Sequence, residues 1–532
     1  MSSTMNWNEG YVSEIDYIHG YYREQAPGFL ALAALASAVD TALGVHANSE
    51  KRPLRYLELG FGLGLTTNIH AAATDAEYWG TDFNPGHVAE ARAIAQAAGS
   101  GARLFEDSFA EFAARTDLPE FDVIALHGVW TWVSDENRRS IIDLVRRRLA
   151  VSGVVYLSYN SMPGWAPLLP LQHLLSLHER IAGAPADGLL KRLDAALGFA
   201  QQVCDTGALY FQNNPTLPEQ LRQFAAMNRR YLSHEFFNRH FQPMPFSQVA
   251  EALGEAKLDF VGTANLLFGL DAVSLTPEAR TLLDGITHPI LRESVRDYFT
   301  NGQFRRDLFA KGGRRLGPTE QEERFEALRV ALVTHPDGIP RTIKIPIGEA
   351  ELKADTYGPM IEVLSEGGYA PRTLASLRAD ERTRAIPLHE MVQAVVVLTS
   401  LGHLHPVQPP DVIARCAPRC RAINRHLLRR ARKDGDTIAL ASPVIGAGVH
   451  APRIHQLFLL AIEDGERSQA AWVERAVAEL NAGGTQLYKE GQPIDSEADA
   501  RALLSEEAAK FEVQRLPLLR ALGVTDGNDA GA

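Results

Sequence analysis

The stretch Glu58-Leu59-Gly60-Phe61-Gly62-Leu63-Gly64 decides how this chain is read. It follows a short apolar run, Leu54 to Leu57, with the composition of a buried strand, and precedes a helix-compatible segment from Leu65 to Thr74. Strand, tight glycine turn and helix thus follow one another. Glycines let the backbone take positive φ and let a ligand approach with no Cβ in the way. The carboxylate of Glu58 at the strand end disfavours a phosphate and can accept hydrogen bonds from a cation or a hydroxyl. The loop therefore reads as a seat for a nucleoside ligand without phosphate. The dinucleotide fingerprint, with glycines at relative positions one, three and six, is met by Gly60 and Gly62 but fails at Leu65. The phosphate-cradling Gly-Lys-Ser/Thr is absent, because Gly64 is followed by Leu65-Thr66-Thr67.

The segments downstream repeat the rhythm. Tyr78 to Asp82 reads as a second strand ending in an acid, and Asp82 lies 18 residues beyond Gly64, near the spacing at which an acid in such folds receives ribose hydroxyls. Ala102 to Phe105 reads as a third strand, followed by Glu106-Asp107-Ser108. Phe121 to Leu126 reads as a fourth, ending in His127-Gly128, and Val154 to Ser158 as a fifth, ending in Tyr159-Asn160. Helical stretches lie between them at Pro85 to Ala98, Phe109 to Arg115 and Asn137 to Leu149. This alternation predicts an α/β fold with a doubly wound, mostly parallel sheet and a ligand at the strand C-termini.

With those residues in place, the chain resembles the class I S-adenosylmethionine-dependent methyltransferases. More narrowly it is similar to the bacterial group in which such a domain carries a methyltransferase regulatory domain, a group that includes the rickettsial outer-membrane-protein lysine methyltransferases. The narrower likeness rests on His127-Gly-Val-Trp130-Thr-Trp132-Val133, on Tyr156-Leu-Ser-Tyr-Asn160-Ser-Met-Pro163-Gly164-Trp165, and on Tyr231-Leu-Ser-His234-Glu235-Phe-Phe-Asn238. It implies a seven-stranded sheet and S-adenosyl-L-methionine as cofactor. Glu58, Gly60, Gly62, Gly64, Asp82, Phe83, Asp107, Ser108 and His127 are the implied cofactor contacts. The acceptor favoured by the resemblance is the lysine side chain of a protein. The N-terminal stretch Tyr11 to Tyr22 departs from the rickettsial pattern, which leaves the substrate open. A small-molecule acceptor, and a non-catalytic S-adenosylmethionine-binding regulatory protein, stand as alternatives.

Composition fits a folded cytoplasmic protein. The chain has 532 residues, 45% apolar and 22% charged, close to globular averages. A net charge of −12 argues against a nucleic-acid partner. No signal peptide is evident at Met1-Ser-Ser-Thr-Met-Asn, and the apolar run Ala26 to Val39 is too short to cross a bilayer, so it reads as a buried helix and no membrane insertion is expected. Three cysteines exclude a disulfide scaffold. Cys416 and Cys420 have Pro418 between them and do not complete a zinc site, His403 and His405 flank a turn, and His450 and His455 have no helical partner acids. No metal is expected. A monomer and a homodimer are both open.

Four segments are expected. Residues 1–52 form an aromatic helical arm, with Tyr11, Tyr17, Tyr21 and Tyr22, that covers the ligand. Residues 53–275 form the methyltransferase domain, with a helical insertion at 165–230 beginning after Pro163-Gly164. Within it, a helix from Phe246 to Lys257 and strands at Phe260 to Ala264 and Ala272 to Leu275 would finish the sheet. Residues 276–385 form a mainly helical middle domain with an irregular region around Asp337-Gly338-Ile339-Pro340. Residues 386–532 form a C-terminal domain, with a helix from Pro387 to Leu401 capped by Gly402 and a winged-helix-like unit as one reading. The basic run Arg425 to Lys433 is expected to be the solvated face of an amphipathic helix.

Methyl transfer chiefly needs alignment of the acceptor and exclusion of water. A lysine acceptor must also lose its proton, which burial near aromatic faces favours. Tyr159-Asn160, His127 and Trp130, all at the C-terminal edge of the sheet, are the expected catalytic residues, with His127 accepting a proton near neutral pH. Trp165, Tyr231, His234 and Tyr17 are the expected substrate contacts.

Overall fold

Seven strands build the central sheet: β1 (Arg55–Leu59), β2 (Glu77–Thr81), β3 (Arg103–Phe105), β4 (Phe121–Leu126), β5 (Leu149–Asn160), β6 (Asp259–Thr263) and β7 (Phe304–Ala310). In the computed structural model their order is β3-β2-β1-β4-β5-β7-β6. The structure describes residue 11 and residues 19–44, 52–184, 186–489, 492–494 and 496–526. The first five strands run parallel, and β7 lies antiparallel between β5 and β6. Strand order reverses between β1 and β4, which is where a doubly wound sheet opens its ligand crevice.

Both faces of the sheet are covered, so its strands are apolar on both sides. Helices α1 (Pro27–Ala36), α2 (Leu65–Ala73) and α3 (Pro85–Ala98) pack on the face that carries Tyr56, Val123 and Tyr156. Helices α4 (Phe109–Ala114) and α5 (Asp135–Arg148), with the later helix Phe246–Gly254, pack on the face that carries Leu57, Ile124, Val155 and Tyr159. Local signals set the helix ends. Asn84 caps α3 ahead of Pro85, and Ser108 with Glu111 forms a capping box on α4.

After Ser161 the chain leaves the sheet for a helical excursion: α6 (Leu169–Ala182), α7 (Leu189–Asp205), then helices Leu209–Asn213, Leu217–Ala226 and Arg229–Phe237. Its core of Leu171, Leu175, Leu193, Phe211, Leu232 and Phe236 is separate from both cores of the sheet. The excursion therefore folds around its own apolar centre while standing over the crevice.

The sheet is completed differently from the sequence reading. Ala272 to Leu275 is not a strand: Asp271–Ser274 is a short helix in which the Ser274 hydroxyl turns back to the carbonyls of Phe268 and Leu270. The strand that completes the sheet is β7, from inside the segment read as a separate middle domain. Its Arg305-Arg306-Asp307 disguises a buried strand, because Arg305 is neutralised internally by Asp307, Asp297 and Glu293. Beyond it, a three-stranded sheet of Arg372–Thr373, Arg329–Leu332 and Leu404–Pro406 packs with helices Ala354–Tyr369, Leu374–Ala379 and Leu388–Leu401. This unit of three strands and three helices straddles residue 386, and its last helix ends at Gly402 with φ +82° as expected.

The long helix Pro410–Arg430 lies against α2 and α3. Arg415 pairs with Asp75 at 2.6 Å, Arg419 donates to the Thr74 carbonyl at 2.6 Å, and Arg430 pairs with Glu90 of α3. Arg432 pairs with Glu479 at 2.8 Å. Within the basic run Arg430 is drawn inward to Glu90, while Arg425, Arg429, Arg432 and Lys433 are exposed and Leu427 and Leu428 are buried, so the run is largely the solvated face of an amphipathic helix that was expected. Cys416 and Cys420 are buried free thiols on this helix. His455 pairs with Glu507 at 2.6 Å, an acid of another helix 52 residues farther along the chain. Among the described residues no helix is long and apolar enough to cross a membrane.

Candidate active site

A cavity of about 490 Å³ opens at the C-terminal ends of β1, β2, β4 and β5. The glycine turn forms its floor. Gly60, Gly62 and Gly64 all have positive φ, at +75°, +57° and +72°. They serve different ends. A Cβ on Gly60 would strike Val129, and one on Gly64 would strike Ala91 of α3, so these two permit close packing. A Cβ on Gly62 would meet nothing within 4 Å, because the space beside it belongs to the cavity. Gly62 is the glycine of the turn whose open side faces the cavity.

Two acids flank the turn. Asp82, at the end of β2, accepts the Gly62 amide at 2.8 Å and the Asn84 amide at 3.0 Å, and faces His87 Nδ1 at 3.3 Å. It thereby shapes the loop as well as lining the cavity. Glu58, 4% exposed, accepts the Thr67 hydroxyl. Burial pushes its carboxyl up to about 7, against the pull of that hydrogen bond. Farther along, Asp107 pairs with Arg115 at 3.1 Å, and the Ser108 hydroxyl and amide are both engaged in the α4 cap. Phe83 meets Tyr11 edge-on at 5.7 Å. Glu58, Asp82, Phe83, Asp107 and Ser108 all line the cavity.

His127 lines it too. Its Nδ1 lies 2.9 Å from the Tyr156 hydroxyl, and the Tyr22 ring stacks on it at 3.7 Å. Burial first, then the positive charge of Arg306, pulls its pKa down to about 3. The imidazole is therefore neutral across the physiological range and a poor proton acceptor, which corrects the expectation that it takes a proton near neutrality.

The strand alternation of β5 separates the other expected catalytic residues. Asn160 and Tyr159 are neighbours, so their side chains leave opposite faces of the sheet. Asn160 lines the cavity, and its side-chain amide makes no hydrogen bond with a described residue. Tyr159 is fully buried on the far face, where its hydroxyl donates to Asp307 at 2.8 Å. Trp130, 1% exposed, is in the same far-face core. Neither touches the cavity. Their sequence position just at the strand ends gave no hint of this, because a one-residue step decides the face.

The wall opposite the turn comes from the helix Arg229–Phe237. Tyr231, His234 and Glu235 fall on one face of it by helical spacing and all line the cavity, with Trp132 and Trp165 beside them. Trp132 and Trp165 both pack on Phe241, at 4.3 and 4.8 Å. Burial pushes the Glu235 carboxyl up to about 7. Tyr11 spans the cavity, touching Phe83 on one side and His234 at 5.6 Å on the other. Tyr17 lies outside the described residues. The arm is fixed by the Tyr22 amide donating to Thr66 at 3.0 Å and by the Tyr21 hydroxyl, 3.1 Å from His70 of α2. That same hydroxyl accepts the amide of Gly448 in the hairpin Ala439–Ser442/Ala447–His450. Arg306 of β7 also lines the cavity, and the sequence reading missed it because β7 itself was missed.

Comparison with known proteins agrees with this architecture. The family model described as a methyltransferase domain matches residues 57–153, and that described as a predicted methyltransferase regulatory domain matches residues 228–311. The second segment supplies the Tyr231–Glu235 wall and strands β6 and β7. A protein of Synechocystis sp., described as uncharacterized, is 38% identical over 526 residues, covering 98% of this chain and 100% of its own. A protein of Rickettsia prowazekii, also described as uncharacterized, is 23% identical over 280 residues, covering 51% of this chain and 48% of its own. Among solved structures, PKMT2 from Rickettsia typhi in complex with AdoHcy has the same fold, with a TM-score of 0.68 at 15% identity over 95% of this chain and 100% of that one.

Proposed function

The chain belongs to the family of methyltransferase-domain proteins that carry a predicted methyltransferase regulatory domain, and on that footing we propose that it transfers a methyl group from S-adenosylmethionine to lysine side chains of a protein. The observation that carries this reading is one cavity with two unlike ends: an acid-flanked glycine turn at one, and an aromatic wall holding Asn160 and Glu235 at the other.

The residues present fit the cofactor. The open space at Gly62 is a cradle that a Cβ would fill, Glu58 stands where it can accept a cationic amine, Asp82 where it can accept ribose hydroxyls, and the lining offers no phosphate cradle. Bound there, S-adenosylmethionine supplies a methyl group on a sulfonium, which leaves as a thioether when a nitrogen lone pair takes the methyl.

The protein's own part is alignment, drying and proton handling. Tyr11 and Tyr22 cover the cavity and exclude water. The faces of Trp132, Trp165 and Tyr231 hold an alkylammonium by cation–π attraction, on the order of 0.5–2 kcal/mol each. The Asn160 carbonyl orients the amine, and Glu235, whose pKa is near 7, takes the proton that an ammonium must lose before its nitrogen can attack. Neutral His127 forms part of the cavity lining under Tyr22 rather than acting as a base. A protein substrate agrees with a wall built on an excursion that stands over the crevice on an apolar core of its own. No nucleic-acid partner is invoked, and a cytoplasmic setting is proposed.

The test is incubation with methyl-labelled S-adenosylmethionine and cell extract, followed by hydrolysis and amino-acid analysis. Label recovered as methyl-lysines supports the reading. Label confined to small molecules would remove the protein substrate, and no label at all despite cofactor binding would favour a non-catalytic role.

A further inference from the structure

The described residues that line the cavity carry four carboxylates, on Glu58, Asp82, Asp107 and Glu235, and one guanidinium, on Arg306, with no lysine. Arg306 stands directly across from Ser158 in the β5–β7 ladder, on the face that carries Tyr156 and His127. Its neighbour Arg305, on the other face, is held by three acids. Arg306 is held by none. Among the described residues its guanidinium makes no ion pair and no hydrogen bond. It rests over the Phe304 ring, 5.3 Å from the centroid, and its Nε is buried without a partner. A ring face attracts the charge but accepts no directed hydrogen bond comparable to a carboxylate's.

A charged donor buried without an acceptor is costly, and the guanidinium fork matches a planar carboxylate in two parallel hydrogen bonds. The proposed cofactor bears a single anionic group, the carboxylate of its amino-acid tail. In a cavity with three acids around the glycine turn and ribose side, that carboxylate would otherwise be repelled. We propose that Arg306 is a cofactor-binding residue that grips the carboxylate of the amino-acid tail of S-adenosylmethionine. This assignment rests on the cofactor reading given above.

Calorimetry on the full chain tests it with two ligands that differ only at this group, S-adenosylmethionine and its decarboxylated analogue. Arg306→Gln should weaken binding of S-adenosylmethionine about 10- to 100-fold, as expected for losing a hydrogen bond to a charged group, and leave the decarboxylated analogue within about twofold. Arg306→Lys, which keeps the charge without the fork, should fall between. Unchanged affinity for both ligands overturns the assignment and would leave Arg306 for a carboxylate on the acceptor. An equal loss for both ligands overturns it as well, since that marks a structural role. A wild-type protein that binds neither ligand refutes the cofactor reading itself and takes this assignment with it.

Discussion

Replacing Glu58 by Gln should abolish a proton release that accompanies nucleoside binding. Burial holds the Glu58 carboxyl near 7 in the free protein, so it is about half protonated at pH 7, about nine-tenths at pH 6 and about one-tenth at pH 8. S-Adenosylhomocysteine brings an amine that stays cationic across this range, and its approach favours the ionised carboxylate. Binding should therefore release about 0.5 proton at pH 7 and about 0.9 at pH 6, and its affinity should rise about tenfold from pH 6 to pH 8. The direction follows from the sign of the shift: protons bound by the free site must leave before the ion pair forms, so low pH opposes binding. Calorimetry in buffers of different ionisation enthalpy counts the protons directly. Glu58→Gln keeps the size of the side chain and a partner for Thr67, but should weaken binding by about 1.5–3 kcal/mol and flatten its pH dependence. Wild-type binding with no proton release between pH 6 and 7, or a Gln variant that releases as many protons as wild type, would refute the placement of the amine against Glu58.

Three further outcomes follow from the same geometry. Gly62→Val should abolish nucleoside binding while leaving far-ultraviolet circular dichroism intact, because a branched side chain at φ +57° both strains the turn and fills the cradle. Asp82→Ala should weaken nucleoside binding by about 1–3 kcal/mol in calorimetry, since the Gly62 amide also loses its acceptor. Tyr159→Phe should leave nucleoside affinity and methyl transfer unchanged and lower stability toward urea by about 1–3 kcal/mol, because Asp307 loses a buried donor.

The nucleoside end of the cavity was legible in the sequence, because a strand, a glycine turn and a helix are contiguous there and local periodicity places each residue. Strands β1 to β5 and helices α2 to α5 stand within a few residues of where patterning puts them, the widest difference being the longer β5. The acceptor end depended on pairings that sequence spacing does not encode. Tyr159 and Asn160 differ only in the face to which one residue step sends them. On the cofactor side, Arg306 was hidden because Arg305-Arg306-Asp307 does not resemble a buried strand until Arg305 is matched by Asp307, Asp297 and Glu293. His127 was placed correctly at the cavity, but its protonation followed from burial under Tyr22, which no local pattern reveals.

Tyr21 touches α2 on one side and the Gly448 hairpin on the other, and its chain neighbours Gly20 and Tyr22 form part of the cavity roof. One phenol is thus a rivet through three layers: roof, nucleotide-fold helix and distal hairpin. A nucleoside leaving beneath that roof passes the rivet, so Tyr21→Phe, which removes both of its hydroxyl contacts, should speed exit in stopped-flow displacement.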